Sequence, residues 1–246
     1  MGFAGASGWI VAVSNTGFGP FISDTTNGGS TWTGFREHNP SMGGTSAVTV
    51  AGTSVALVPL GGGVATIDSI DTAGTKALSR LPQTLRATAA TSIGSQILVA
   101  GATAETSEGP YNHAAIYATD ANQAWSEQPI ALTSSAELRG IDARSTKSGI
   151  AGGMIVQDTI QPLCLFLRDG RWEPGSLPSA LDGRVVSSVI QTSTDDAWAV
   201  ANVLGAPGVT FLHTVDSGAT WSSVSTPFDT TMHVRALTRR SLVVSP

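Results

Sequence analysis

The 246-residue sequence predicts an all-β fold: a β-propeller of four-stranded antiparallel blades, with five recognisable repeats plus a partial sixth. Three observations predict it. An octet of the form Ser/Thr-x-Asp-x-Gly-x-Thr-Trp recurs along the chain. Its last positions are 32, 76, 125, 172 and 221, so the steps are 44, 49, 47 and 49 residues. Repeats of that length are those of propeller blades, each one four-stranded sheet. Between octets lie three short apolar runs and one polar stretch, and no segment carries a helical 3.6-residue period of useful length.

The octets differ in how well they keep the pattern. "TVDSGATW" at 214–221 fits at every fixed position, with Asp216, Gly218 and Trp221. "TTNGGSTW" at 25–32 fits with Asn27 in place of Asp, followed by Gly29 and Trp32. "SIDTAGTK" at 69–76 keeps Asp71 but has Ala73 for Gly and Lys76 for Trp. "ATDANQAW" at 118–125 keeps Asp120 and Trp125, and "LRDGRW" at 167–172 is a shortened copy with Asp169 and Trp172. Each octet falls on the hairpin between the third and fourth strands. There an Asp or Asn accepts hydrogen bonds from the turn's own backbone, Gly supplies a positive φ, and Trp covers the side of the blade. Such turns need no ligand. Degenerate copies such as Ala73 and Lys76 suit scaffolding and do not suit a catalytic residue.

The runs between octets supply the other strands. Small-residue segments such as "SAVTVA", "RATAATS", "RGIDARS" and "VVSSVIQ" suit an innermost strand, where sheets crowd around an axis. Apolar runs such as "SQILVAGA" and "SGIAGGMIV", then "HAAIYAT" and "PLCLFLR", are the second and third strands. The expected blades are roughly 1–38, 43–83, 86–130, 136–178 and 184–226 of a single domain. The first blade is expected to begin at its second strand. Residues 231–246 then either close that blade or start a further one.

The octets resemble Asp-boxes, also called BNR repeats. These occur in sialidases, in sortilin-type receptors, in some glycan-degrading propellers and in photosystem II stability/assembly-factor-like propellers. The couplings "GWIVAV…TTNGGSTW" and "DAWAVANV…LHTVDSGATW" look most like the last group. The resemblance covers the whole chain as repeats and is specific for fold, not for function. It implies a binding or assembly surface for a protein or an anionic or glycan ligand at the propeller's channel mouth, in an extracytoplasmic setting.

Composition narrows the partners. A net charge of −5 argues against a general nucleic-acid binder, and no apolar run reaches membrane-spanning length. No signal peptide is recognisable in "MGFAGASGWIVAVS". The lone Cys164 can form neither an internal disulfide nor a Cys-based metal site and reads as a core residue. His38, His113, His213 and His233 lack metal-ligand spacing, so no metal and no cofactor is expected.

The candidate contact residues are arginines. Arg86, Arg139, Arg184 and Arg235 each stand at the start of an inner strand, on the face that carries the blade-to-blade crossovers. Converging guanidinium groups would attract carboxylate or phosphate. The alternative is that each pairs locally, with an acid such as Glu137 or Asp182. A sialidase-type hydrolase is the contrary reading. It would need an Arg-Ile-Pro motif, which "GFREHNP" at 34–40 lacks, and a Tyr activated by Glu. Tyr117 reads as strand packing. Tyr111, with Glu105, Glu108 and His113 nearby, is the best local candidate for a polar site. No catalytic residue is assigned.

Overall fold

The computed structural model describes residues 2–4, 6–12, 21–37, 45–50, 54–59, 66–71, 74–82, 84–104, 112–122, 124–224, 233–237 and 242–245. Sheet I holds β1 (Gly2–Ala4), β2 (Ser7–Ala12), β3 (Phe21–Thr25) and β4 (Arg36–Glu37). Sheet II holds β5 (Thr45–Val50), β6 (Ser54–Pro59), β7 (Thr66–Asp71) and β8 (Gly74–Arg80). Sheet III holds β9 (Leu85–Ile93), β10 (Gln96–Thr103), β11 (His113–Thr119) and β12 (Trp125–Glu127). Sheet IV holds β13 (Ala136–Ser145), β14 (Ser148–Val156), β15 (Ile160–Arg168) and β16 (Arg171–Pro174). Sheet V holds β17 (Arg184–Gln191), β18 (Ala197–Val203), β19 (Val209–Thr214) and β20 (Ser222–Val224). The strands β21 (His233–Leu237) and β22 (Leu242–Ser245) pair with each other in sheet VI.

Each four-stranded sheet is an antiparallel meander in chain order. The first strands pack one on the next: β1 on β5, β5 on β9, β9 on β13, β13 on β17 and β17 on β21. The expectation that the first sheet lacks its own first strand is corrected. The short β1 pairs with β2 at Gly2–Trp9 and Ala4–Ser7. The C-terminal strands form a sheet of their own rather than completing sheet I.

Burial follows the radial order. The second strands β10 and β14 are covered on both faces, and the first seven residues of β14 are all buried. Gly and Ala at 149, 151, 152 and 153 let neighbouring sheets approach there. At Gly153 a Cβ would run into the Glu137 carbonyl oxygen, so glycine is required by space rather than by φ. The fourth strands β12 and β20 are short and largely exposed.

The turns between third and fourth strands show why the octet recurs. Asp216 Oδ1 accepts from Thr220 N at 2.8 Å and from Thr214 Oγ1 at 2.8 Å, while Oδ2 accepts from Thr220 Oγ1 at 2.6 Å. Thr214 Oγ1 accepts from Gly218 N at 2.9 Å. In sheet I, Asn27 Oδ1 accepts from Thr31 N at 3.0 Å and Asn27 Nδ2 donates to Thr31 Oγ1 at 2.8 Å. Asp120 Oδ1 accepts from Asn122 N and Ala124 N at 2.8 and 2.9 Å. Gly29 and Gly218 have φ of 89° and 79°. A Cβ on Gly218 would also strike the Phe166 ring of sheet IV. The short copy at 169–170 is a two-residue hairpin with φ of 49° and 78°, the mirror-image turn that fits strand twist. Of the Asp71 turn, residues 72–73 and the Asp71 side chain lie outside the described residues.

Three of the octet tryptophans reach the preceding sheet. Trp125 Nε1 donates to Ser79 Oγ of sheet II at 2.8 Å. Trp172 is fully buried against sheet III, where its backbone donates to Pro129 O at 2.9 Å and accepts from Ala131 N at 2.8 Å. Trp221 lies 6.0 Å from the Phe166 ring of sheet IV. Trp32 is half-buried.

Two outcomes follow. Trp172→Ala opens the joint between sheets III and IV and lowers the unfolding free energy by about 3–5 kcal/mol in urea titration. Thr220 holds the Asp216 carboxyl down, through its hydroxyl first and then its backbone N–H, with Thr214 adding to it, at a pKa of about 2. An unfolded Asp titrates near roughly 3.9. This turn's contribution is therefore complete above that value and is lost as pH falls towards 2. Asp216→Asn keeps the turn, as Asn27 does, but removes that part of the acid slope in unfolding curves measured from pH 5 to pH 2.

Candidate functional site

The inner strands carry a recurring irregularity. In sheet III, Ala100 faces Ala89 and Gly101 faces Ala87, which leaves Thr88 as an extra residue. The same slip leaves Arg139 extra in sheet IV, Ser187 in sheet V and Arg235 in sheet VI. A bulge of this kind re-aims side chains at the end of a sheet. Two residues before it stand Arg86, Glu137 and Val185. Residues two apart on a strand share a face, so each sheet offers a pair: Arg86 with Thr88, Glu137 with Arg139, Val185 with Ser187.

These three pairs line one recess of about 540 Å³, together with Ala87, Asn202, Val203 and Leu204. Glu137 stands at its centre and is only 4% exposed. Arg86 Nη2 lies 2.7 Å from Glu137 Oε1, and Arg139 Nη2 lies 3.0 Å from Glu137 Oε2. One buried carboxylate thus joins sheet III to sheet IV through two guanidinium groups whose side chains remain 36% and 42% exposed. Among the described residues lining the recess, two positive charges stand against one negative. Its far wall is apolar, made by Val185, Val203 and the exposed Leu204. Ser187 Oγ accepts from Asn202 Nδ2 at 2.5 Å, and Thr88 Oγ1 donates to Leu138 O across the sheets at 2.5 Å.

Two of the four arginines singled out in the sequence therefore meet, and they meet on Glu137. Arg184 does not line the recess. It pairs in register with Val203 and stands one residue before Val185, so the alternation turns it to the other face. There its Nη1 is buried without a hydrogen-bond partner. The backbone of Arg235 occupies the bulge position equivalent to Arg139, and its side chain lies outside the described residues. In the sequence the four arginines stand at what looks like one repeated position. The register shows three: one before the paired residue (Arg86), two before it (Arg184) and the bulge itself (Arg139 and Arg235). Counting parity from the buried Ala87, Leu138 and Val186 would have separated them. It would also have set Glu137 beside Arg86.

The remaining candidates are placed as follows. Tyr111, Glu105, Glu108 and His38 lie outside the described residues. His113 is exposed at the start of β11. Tyr117 donates to Glu127 Oε2 at 3.1 Å, and burial together with that carboxylate raises the phenol pKa, so the hydroxyl keeps its proton. The pair sits on the outer strands and not in the recess. His213 stacks on Trp198 with ring centroids 4.2 Å apart and meets Asp196 Oδ2 at 3.1 Å through Nε2. Thr192, hydrogen-bonded to Asp196, does most to lower that carboxyl's pKa, and His213 adds to it. Among the described residues no three His, Cys, Asp or Glu side chains are grouped to hold a metal ion. No helix there is long and apolar enough to cross a membrane.

Comparison with protein-family profiles and with curated proteins finds no match. Solved structures do match. A GH74 xyloglucanase from Xanthomonas campestris superposes with a TM-score of 0.62 at 15% identity, covering 90% of this chain and 37% of that chain. YCF48 bound to a D1 peptide superposes with a TM-score of 0.53 at 19% identity, covering 89% of this chain and 64% of that chain. The fold is a β-propeller. The sheets are its blades, and the likeness to YCF48 agrees with the resemblance carried by the octets. This chain spans a little over a third of the xyloglucanase and less than two thirds of YCF48. At such identities the likeness speaks to fold alone.

Cys164 sits fully buried in the third strand of blade IV, and burial pushes its thiol pKa far up. A thiol-specific reagent such as a nitrobenzoate disulfide is expected to label none of the native protein at pH 8. It labels one thiol per chain in denaturant.

Proposed function

We propose that this propeller is a non-enzymatic binding or assembly surface, and that the recess at the inner ends of blades III, IV and V receives an acidic or carboxylate-bearing segment of a protein partner. The observation that carries this reading is the pairing of Arg86 and Arg139 on a single buried carboxylate. Glu137 fixes both guanidinium groups in place without neutralising both. Both side chains keep exposed surface towards an incoming anion, and oriented guanidinium donors of this kind bind carboxylate with charge-assisted hydrogen bonds. The apolar wall of Val185, Val203 and Leu204 favours a ligand that also carries an aliphatic side chain, which suits a peptide better than a free ion. A propeller of similar fold, YCF48, has been solved bound to a peptide, which supports the same class of partner. The extracytoplasmic setting implied by the octet resemblance belongs to this proposal.

The contrary reading is an exo-acting glycoside hydrolase of sialidase type. It needs two carboxyls, or a Tyr–Glu pair, facing one pocket. Among the described residues that line the recess, Glu137 is the one carboxylate, and it is held by two arginines. The Tyr117–Glu127 pair lies elsewhere on blade III.

Binding of a short peptide with one Asp and one Leu, labelled with a fluorophore and followed by anisotropy, tests the proposal. Arg139→Ala is expected to weaken it by about tenfold or more, the loss of one charge-assisted contact. Glu137→Gln frees both guanidinium groups and is expected to tighten it. Affinity indifferent to both changes would reject the surface, and turnover of a fluorogenic sialoside would establish the hydrolase instead.

A further inference from the structure

Blades IV and V enclose a second cavity at their opposite ends, a cleft of about 330 Å³ between the turns. Its origin is the short hairpin of blade IV. In blade V the octet turn folds over the first hairpin of its own blade, with Ser217 N donating to Asp195 O at 2.9 Å. Blade I does the same through Gly28 N and Ala6 O at 2.7 Å. Blade IV joins Arg168 to Arg171 through Asp169 and Gly170 alone, and this turn makes no such bond among the described residues. Arg168 instead reaches sideways, donating to Ser217 O of blade V at 2.6 Å. The first hairpin turn of blade IV, at 146–147, is left uncovered by its own blade.

Two polar side chains that line this cleft are stranded by that arrangement. Ser148 is 8% exposed and Gln191 is 1% exposed. Ser148 Oγ and Gln191 Oε1 have no hydrogen-bond partner. The Gln191 amide nitrogen donates to Thr194 O at 3.1 Å, which leaves the carbonyl oxygen as the unpartnered acceptor of this group. Buried polar atoms in proteins are nearly always satisfied, and two exceptions in one cavity point to a missing partner. Lys147 and Arg168 add positive charge to the lining, set against Asp169 in the lining and Glu173, whose Oε2 lies 3.8 Å from Arg168 Nη1.

We infer that this cleft is a binding site for a small hydroxycarboxylate. One hydroxyl donates to Gln191 Oε1 and exchanges a hydrogen bond with Ser148 Oγ. The carboxylate lies towards Lys147 and Arg168. The volume is that of a monosaccharide-sized ligand. The site uses none of the residues of the recess and stands or falls independently of it.

Titration of the whole chain with D-gluconate, followed by NMR chemical shifts, tests the inference. Binding is expected, with Gln191→Leu and Ser148→Ala each weakening it by about tenfold or more and Gln157→Ala, on the opposite face, leaving it unchanged. Without gluconate Ser148→Ala keeps or raises the thermal midpoint, because it removes a stranded polar atom and breaks no side-chain hydrogen bond seen among the described residues. That readout separates lost binding from lost folding. Glucose, which lacks the charge, and butyrate, which lacks the hydroxyls, are each expected to bind at least about tenfold more weakly. Absence of gluconate binding, affinity indifferent to both cleft substitutions, or glucose binding as tightly as gluconate would overturn the assignment.

Discussion

Sheets II to V are each packed between two neighbours, and that constraint governs the rest. A sheet buried on both faces has no room for charged side chains along its middle strands. The second strands accordingly read as runs of Gly, Ala, Val, Leu and Ile, and β14 is closed to solvent over its first seven residues. Polar chemistry is pushed to the ends of the strands. The two cavities that carry proposals lie at opposite ends of the blades for this reason, one at the start of the inner strands and one among the turns.

The joints between blades are made by a few repeated devices. In blades III, IV and V the octet Trp leans on the blade before it, as Trp125 does on Ser79 and Trp221 on Phe166. The turn that precedes it holds its shape through one carboxylate or amide and the backbone around it. Asp216 and Asn27 do this work with nearly the same geometry, so charge is not essential to it. Gly218 is fixed twice, by its φ and by the Phe166 ring of the neighbouring blade. Blade IV departs from the pattern, and the departure has a consequence in space: the cleft beside Ser148 and Gln191 opens where a longer turn would have folded back.

Glu137 joins scaffold to site. It is buried, it bridges blades III and IV, and it orders the two guanidinium groups that give the recess its charge. An ion pair of this kind contributes geometry more reliably than stability, since burying the carboxylate offsets much of the attraction. The bulges at Thr88, Arg139 and Ser187 complete the arrangement by turning one extra residue of each inner strand towards the recess.

The sequence alone determined the architecture. Octets at a step near 47 residues, three apolar runs between them and the absence of a helical period were enough for four-stranded blades, because these are local patterns of turn chemistry and alternation. It also marked Arg86 and Arg139. It did not determine that the two meet on Glu137, that Arg184 turns away, or that blade I begins with its own short strand at Gly2–Ala4. Those facts depend on register, and a single bulged residue shifts which side chains share a face without leaving a mark in composition or spacing. They depend as well on which blade ends face each other across a joint, which is settled only when residues some 50 positions apart are packed side by side.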